Sequence, residues 1–537
     1  MNANARSDRW TRLPLWLALA FLALFVLVPL GVLAVGTLRG PDGFTFEAWT
    51  AFFADENAKT QILASLQLGI AATALSLVFG GGHAWLTVAC DLPGRRWLGP
   101  LGIAPLVVPP IFVAMGFADL MPVSGFWPCA VLLGIAHAPF VAVLAARGLR
   151  AVDGRAYEAA LLLRGRARAD RWLVRAILPE LLGGCLLAFL FTVADHGVPE
   201  FLTVKGKTWH TYAEGIFSRW TRRAVGTTFA DLQAPIVAAL PFLAALVCLL
   251  WAALRLRAHS PDRGVLRPLP VQPLGRWRAP ALLVPLLYLG GGIGVPLLVL
   301  SRWALGSAQR RVPMSLEYLR GSFRKAVDQG LPDLGHSVWL ALAVAALVVL
   351  LAIPLARQSA RRWPLLDLVT ALPAAMPAIL LGIALVRTFE GNPGFAAVGY
   401  DFYAGWAFAA CGYVARFLPF AALTLASHVR RQPISAEEAG RLVARAPTAR
   451  ALRLHVAPLL PAAWSAFVLA FVLALRELDL AVVLPAANAT AVRRLANAVH
   501  FQHEDWSGVI ALLLLSIAVL LPLIPSVLAG TRLRTLS

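Results

Sequence analysis

Residues 13–38 read LPLWLALAFLALFVLVPLGVLAVGTL, a run with no charged side chain. As a helix it would be ~39 Å long, more than the ~30 Å hydrocarbon core of a bilayer. It is too long for a secretory h-region and has no convincing cleavage site, so it reads as a retained membrane helix. Working outward, eleven further stretches of this kind follow, near 62–89, 98–117, 127–146, 179–200, 232–254, 279–301, 337–356, 368–386, 402–427, 456–478 and 508–530. The composition agrees: 59% of the 537 residues are hydrophobic and 14% charged, against about 25% charged in an average soluble fold. The apolar excess must face lipid, and the chain reads as an all-α, polytopic membrane protein with about twelve transmembrane helices.

The net charge of +20 could suggest nucleic acid. The arginines, however, sit in short loops between apolar runs, which membrane topology explains better. With both termini inside, the inner segments hold 30 basic and 10 acidic residues and the outer ones 16 of each. The positive-inside rule therefore places both termini in the cytoplasm. The expected surroundings are the lipid bilayer of a bacterial inner (plasma) membrane, with no nucleic acid. The five cysteines lie within or beside apolar runs and show no metal-ligand spacing.

Between the sixth and seventh spans, Arg255–Pro280 carries six arginines and five prolines. Such a segment cannot form a helix or bury itself, and it reads as a cytoplasmic linker over 256–279. Residues 1–255 and 280–537 then form two six-span repeats in parallel orientation, because an even number of crossings separates equivalent loops. Details recur between the halves. Pro105 and Pro109 in the third span match Pro373 and Pro377 in the ninth, 268 residues on. Gly94-Arg95-Arg96-Trp97 precedes the first pair and Ala360-Arg361-Arg362-Trp363 the second. After spans four and ten come long basic loops, Glu158-Ala159-Ala160 leading to Pro179 and Glu437-Glu438-Ala439 leading to Pro458, each with a Glu-to-Pro separation of 21. Prolines, acid and basic pairs in one order point to duplication.

These loops also carry a resemblance. Tyr157-Glu158-Ala159-Ala160, Gly165 and Ile177-Leu178-Pro179 resemble the Glu-Ala-Ala loop of binding-protein-dependent ABC importer permeases, and Glu437-Glu438-Ala439-Gly440, Ala444 and Pro458 resemble it more weakly. The resemblance implies the MetI-like permease fold, with each loop forming a coupling helix that docks on a cytoplasmic ATPase. It implies as partners two copies of that ABC ATPase and a periplasmic or lipid-anchored substrate-binding protein. ATP and magnesium would belong to the ATPase, leaving this chain without a cofactor of its own. Tyr413-Val414-Ala415-Arg416-Phe417-Leu418-Pro419 and Arg476-Glu477-Leu478-Asp479 look like segments of the subfamily importing ferric iron, and of those for thiamine, phosphonate or polyamine. Ferric iron is the leading cargo on that resemblance. Physically, Arg164, Arg168, Arg171 and Arg175 are spaced to share one helical stripe, and Glu158 suits a helix N-terminus.

Ionisable residues within spans cost free energy, so they tend to face partners or cavities. His137 and Arg416 occupy equivalent places, 279 residues apart, each shortly before a proline. Asp195, Arg476, Glu477 and Asp479 lie at the ends of spans five and eleven. These six are the candidate translocation path between the halves, weighed against helix-end charges that reach water or pair structurally. No metal ligand set is assigned. The rival reading is a major-facilitator secondary transporter, which also has two parallel six-span halves; Asp91-Leu92-Pro93-Gly94-Arg95-Arg96 resembles its loop between spans two and three. The long patterned loops after spans four and ten count against it. No phosphate loop and no clustered catalytic groups occur, so the chain is expected not to be an enzyme.

Overall fold

The computed structural model describes residues 3–40, 43–203, 209–222, 236–237, 244, 247–248, 251, 267–307, 312–363, 365–390, 399–432, 435, 456–485, 489–501 and 506–534. Apart from a short hairpin pairing Arg39–Gly40 with Gly43–Phe44 and two isolated bridges, the regular structure among these residues is helical. Besides the short helices Glu47–Ala54 and Tyr400–Ala404, the helices in chain order are α1 (Leu13–Gly36), α2 (Glu56–Val88), α3 (Arg95–Val107), α4 (Pro110–Leu120), α5 (Phe126–Arg150), α6 (Gly154–Arg164), α7 (Arg166–Ala194), α8 (Gly197–Thr203), α9 (Tyr212–Arg222) and α10 (Gly275–Leu305). They continue as α11 (Leu316–Lys325), α12 (Leu331–Arg361), α13 (Leu366–Ala375), α14 (Ala378–Phe389), α15 (Trp406–Arg431), α16 (Ala457–Leu475), α17 (Asp479–Val483), α18 (Ala491–Phe501) and α19 (Ser507–Arg534).

Among the described residues, eight helices are long and apolar enough to cross a membrane, or ten if each of two bent pairs is one crossing. The protein is thus an all-α polytopic membrane protein. Most of the expected sixth span, 232–254, lies outside the described residues. The described apolar stretch of α19 is Ser507–Leu521. The expected spans at 98–117 and 368–386 are bent helix pairs: α3 and α4 meet at 94°, α13 and α14 at 103°.

The two bends are built alike. Each first helix ends in a 3-10 turn, Ala104–Val107 or Leu372–Ala375, with Pro105 or Pro373 near its start. An extended residue follows, Val108 at ψ 122° or Met376 at ψ 142°. Then comes Pro109 or Pro377, at ψ 137° and 134°, and the second helix begins. A proline ring forces the residue before it out of the helical region and supplies no N–H, so apolar character alone cannot carry a helix through.

The chain forms two compact units. One comprises Trp49–Asp328 and His503–Leu515, the other Met1–Ala48, Gln329–Gln502 and Ser516–Ser537. In the first, α5 packs against α2 and α7; in the second, α15 packs against α12 and α16. The first span therefore belongs with α12–α18, and α10 with α2–α9. Small residues let backbones approach. A Cβ on Gly80, inside a π-helical turn of α2, would lie 2.2 Å from the Ala138 carbonyl oxygen, and one on Gly184 of α7 would lie 2.8 Å from Val141 Cα.

Each unit also pins an amphipathic helix with one serine. Ser65 Oγ donates to the Gln61 carbonyl at 2.9 Å and accepts the Tyr212 N–H at 2.7 Å, opening α9. Ser337 Oγ donates to the Asp333 carbonyl at 2.8 Å and accepts the Ala491 N–H at 2.8 Å, opening α18. An arginine adds a second tie in each unit: Arg219 to Asp55 at 3.6 Å, and Arg494 to Asp333 at 2.9 Å.

Because Val141 presents backbone at the α5–α7 crossing, Gly184→Val should destabilise the fold by about 1–3 kcal/mol. Gly31→Ala, whose Cβ meets nothing within 4 Å, should leave the melting temperature in detergent unchanged. Equal melts for both variants would contradict the packing described.

Candidate functional site

The first basic loop begins where Asp153 caps α6, its Oδ1 accepting the Arg155 N–H at 3.1 Å. The helix ends at Gly165, whose φ of +71° is open to glycine at little steric cost. The chain then turns directly into α7, which continues unbroken through Pro179. The expected arginine stripe is split, because Gly165 separates Arg164 from Arg168, Arg171 and Arg175. Pro179 is interior to a 29-residue helix.

Beneath the turn lies a small core of Leu149, Val152, Tyr157, Ala169, Leu173 and Ile177, against which Ala160 and Leu161 pack. The Tyr157 hydroxyl donates to Asp170 Oδ1 at 2.6 Å. Burial first, and then that bond, push the Tyr157 phenol up from its ordinary range. Ala159 lies along α6 beside Ala160, and Glu158 accepts from Arg267 at 3.1 Å. At the tip, Leu162 and Leu163 are 88% and 84% exposed. Three consecutive leucines before Arg164-Gly165 are the sequence signal for this, a helix end whose apolar side chains cannot all point inward. The result is an exposed apolar knob flanked by Arg164 and Arg166.

In the second loop, Glu437, Glu438, Ala439, Gly440 and Ala444 lie outside the described residues. Pro458 sits in the 3-10 turn Ala457–Leu459 that opens the main run of α16. Nearby helix ends are tied: Asp367 accepts from Ser359 and from Arg430, and Arg361 donates to the Gln432 carbonyl at 2.9 Å.

Four of the ionisable residues of the spans hold a helix start, a bend or a helix pair. Asp195 Oδ1 accepts the Val198 N–H at 2.9 Å in the first turn of α8, and Glu477 Oε1 accepts the Leu480 N–H at 3.1 Å in the first turn of α17. His137 Nδ1 lies 3.0 Å from Thr192 Oγ1, joining α5 to α7. Arg416 is buried and donates to the carbonyls of Pro373 at 3.0 Å and Met376 at 2.6 Å, at the α13–α14 bend. Arg416, Arg476, Glu477 and Asp479 lie close enough to act on one another electrostatically. In the other unit the buried Tyr288 hydroxyl donates to the Gly102 carbonyl at 2.6 Å, just before the α3–α4 bend. Among the described residues, no three His, Cys, Asp or Glu side chains are grouped so as to hold a metal ion.

No family profile matches the chain. Over 159 residues it is 31% identical to the molybdenum transport system permease protein ModB of Escherichia coli, covering 25% of this chain and 68% of that protein. The same identity and coverage hold for ModB of a second Escherichia coli strain. With a polytopic helical fold, a buried-core basic loop ending in an exposed knob and this likeness, the chain belongs to the family of ABC importer permeases.

Proposed function

We propose that this chain is the transmembrane permease subunit of an ATP-driven importer, with two permease repeats fused in one polypeptide. The observation that carries the reading is the loop Gly154–Arg166: a turn packed over its own core, presenting Leu162 and Leu163 to solvent between arginines. An exposed apolar pair on a fixed scaffold is what a partner's pocket can grip, since anchors that fill pockets dominate interface energetics. The occupant is a cytoplasmic ABC ATPase, one copy on this loop and one on the loop around Glu437. ATP and magnesium act there, and this chain hydrolyses nothing. Both termini are cytoplasmic, and the membrane is the bacterial inner membrane.

The repeat supports the fusion. The matched bends, the matched serine anchors of α9 and α18 and the matched first-turn acceptors Asp195 and Glu477 recur in the same order along the sequence. Movement of the knob passes into α7, because Gly165 is followed at once by that continuous helix. Within each unit the broken segments serve the cargo route, α3–α4 and α8 with His137 and Asp195 in one, α13–α14 and α17 with Arg416, Arg476, Glu477 and Asp479 in the other. Cargo arrives on a periplasmic or lipid-anchored binding protein. Its class is a metal-derived inorganic ion, ferric iron on the subfamily resemblance and molybdenum on the likeness to ModB. Such cargo needs no metal cage within the chain, because a permease has only to let it pass.

Replacing both leucines, Leu162→Ser with Leu163→Ser, should abolish co-purification of the ATPase on this loop while the melting temperature stays within a degree or so, exposed sites contributing little to stability. Retained binding would remove the docking role. Arg416→Gln should destabilise the fold by about 1.5–3 kcal/mol for each charged hydrogen bond lost, whereas Arg476→Gln should reduce transport with a smaller loss of stability. The opposite ranking would reverse the roles assigned to the two arginines. For cargo, elemental analysis of cells with and without the intact gene should show a deficit of iron or of molybdenum; unchanged content of both would exclude the metal-ion class.

A further inference from the structure

The interhalf linker should be a free tether by composition, yet its described end is stitched into the permease. Residues 267–278 run as a strap beside the first basic loop. The Arg267 carbonyl accepts the Gly154 N–H at 2.8 Å, and a Cβ on Gly154 would lie 2.3 Å from the Pro268 carbonyl oxygen, so the strap crosses where only glycine fits. Leu269 packs against the core that holds Tyr157 and Leu173. Gln272 Nε2 donates to the Tyr157 hydroxyl at 2.7 Å and to Asp170 Oδ1 at 3.3 Å. Its backbone N–H donates to the Ala89 carbonyl at 2.8 Å and its carbonyl accepts the Asp91 N–H at 3.0 Å. Asp91 Oδ1 accepts the Leu274 N–H at 2.7 Å, and Arg278 reaches Asp91 Oδ2 at 2.7 Å.

Two sequence features are absorbed by this arrangement. Asp91, the leading acid of the segment that resembles a major-facilitator loop, serves here as the strap's anchor. The Leu274 N–H holds its carboxyl below the usual carboxylate range, with Arg278 adding to the effect. Glu158, the acid of the Glu-Ala-Ala motif, already has an intrachain partner in Arg267 at 3.1 Å.

We propose that the strap 267–278 is a brace for the first coupling loop, with Gln272 and Arg267 as its positioning residues. By tying α6 and the start of α7 to the 89–91 turn, it removes local slack, so that force on the Leu162–Leu163 knob moves α7 instead of flexing the loop. The coupling part of this inference rests on the importer reading; the bracing part does not.

Hydrogen exchange of the purified full chain decides the brace. Gln272→Ala with Arg267→Ala should speed exchange of the amides of 154–164 about tenfold, the effect of losing two modest side-chain bonds in a local opening. Unchanged exchange overturns the proposal. The charge swap Arg267→Glu with Glu158→Arg should restore most of the protection lost in Arg267→Glu alone; no restoration counts against the pair. In the complex with its ATPase, Gln272→Ala should lower the cargo moved per ATP while leaving ATPase binding intact, and an unaltered ratio with a loosened loop overturns the transmission role. Failure of the wild-type chain to bind any ATPase would sink the importer reading, while the exchange result would still judge the brace.

Discussion

Inside a bilayer a backbone N–H or C=O has no water to turn to, so a break in a helix must bring its own hydrogen-bonding partners. That constraint orders the polar residues of this protein. Prolines at 109 and 377 interrupt helices that would otherwise cross without comment. At the second break Arg416 lies on the buried carbonyls of Pro373 and Met376. Where α8 and α17 start, Asp195 and Glu477 each accept one N–H of the first turn. Where α9 and α18 return against the spans, Ser65 and Ser337 each receive one amide. Three charges that looked anomalous in apolar sequence, Asp195, Arg416 and Glu477, are thus partners to backbone groups at helix starts and bends.

Much of the fold was legible in the sequence because a bilayer reads hydropathy directly. The spans around 13–38, 62–89, 127–146, 279–301 and 402–427 fall on observed helices, and the equivalent proline pairs were visible as a repeat. What those prolines do to direction was not. Hydropathy is blind to a 94° bend, since both arms remain apolar. The serine anchors were invisible for another reason: Ser65 and Tyr212 are 147 positions apart, and one serine in an apolar helix carries no periodicity. In the basic loop, helical spacing drew the arginines onto one stripe, but a single glycine with positive φ overrode it and moved the emphasis to Leu162 and Leu163.

The linker shows how composition can mislead. The strap is irregular over 267–274 and enters α10 at Gly275. It borrows structure by pairing with the 89–91 turn, by packing Leu269 on a neighbouring core and by giving one amide side chain to Tyr157 and Asp170. In the proposed fused arrangement the end of this linker lies against the loop that the proposed ATPase grips.

Asp195, Arg416 and Glu477 hold backbone at helix starts and bends, and Arg416 should keep its hold through the transport cycle. The direct test is a cryo-EM structure of the complex in lipid nanodiscs, with and without bound ATP. In both states Arg416 should stay on the Pro373 and Met376 carbonyls and the α13–α14 bend should keep its angle. An Arg416 side chain that leaves those carbonyls for water or cargo in either state, with the bend unchanged, would contradict it.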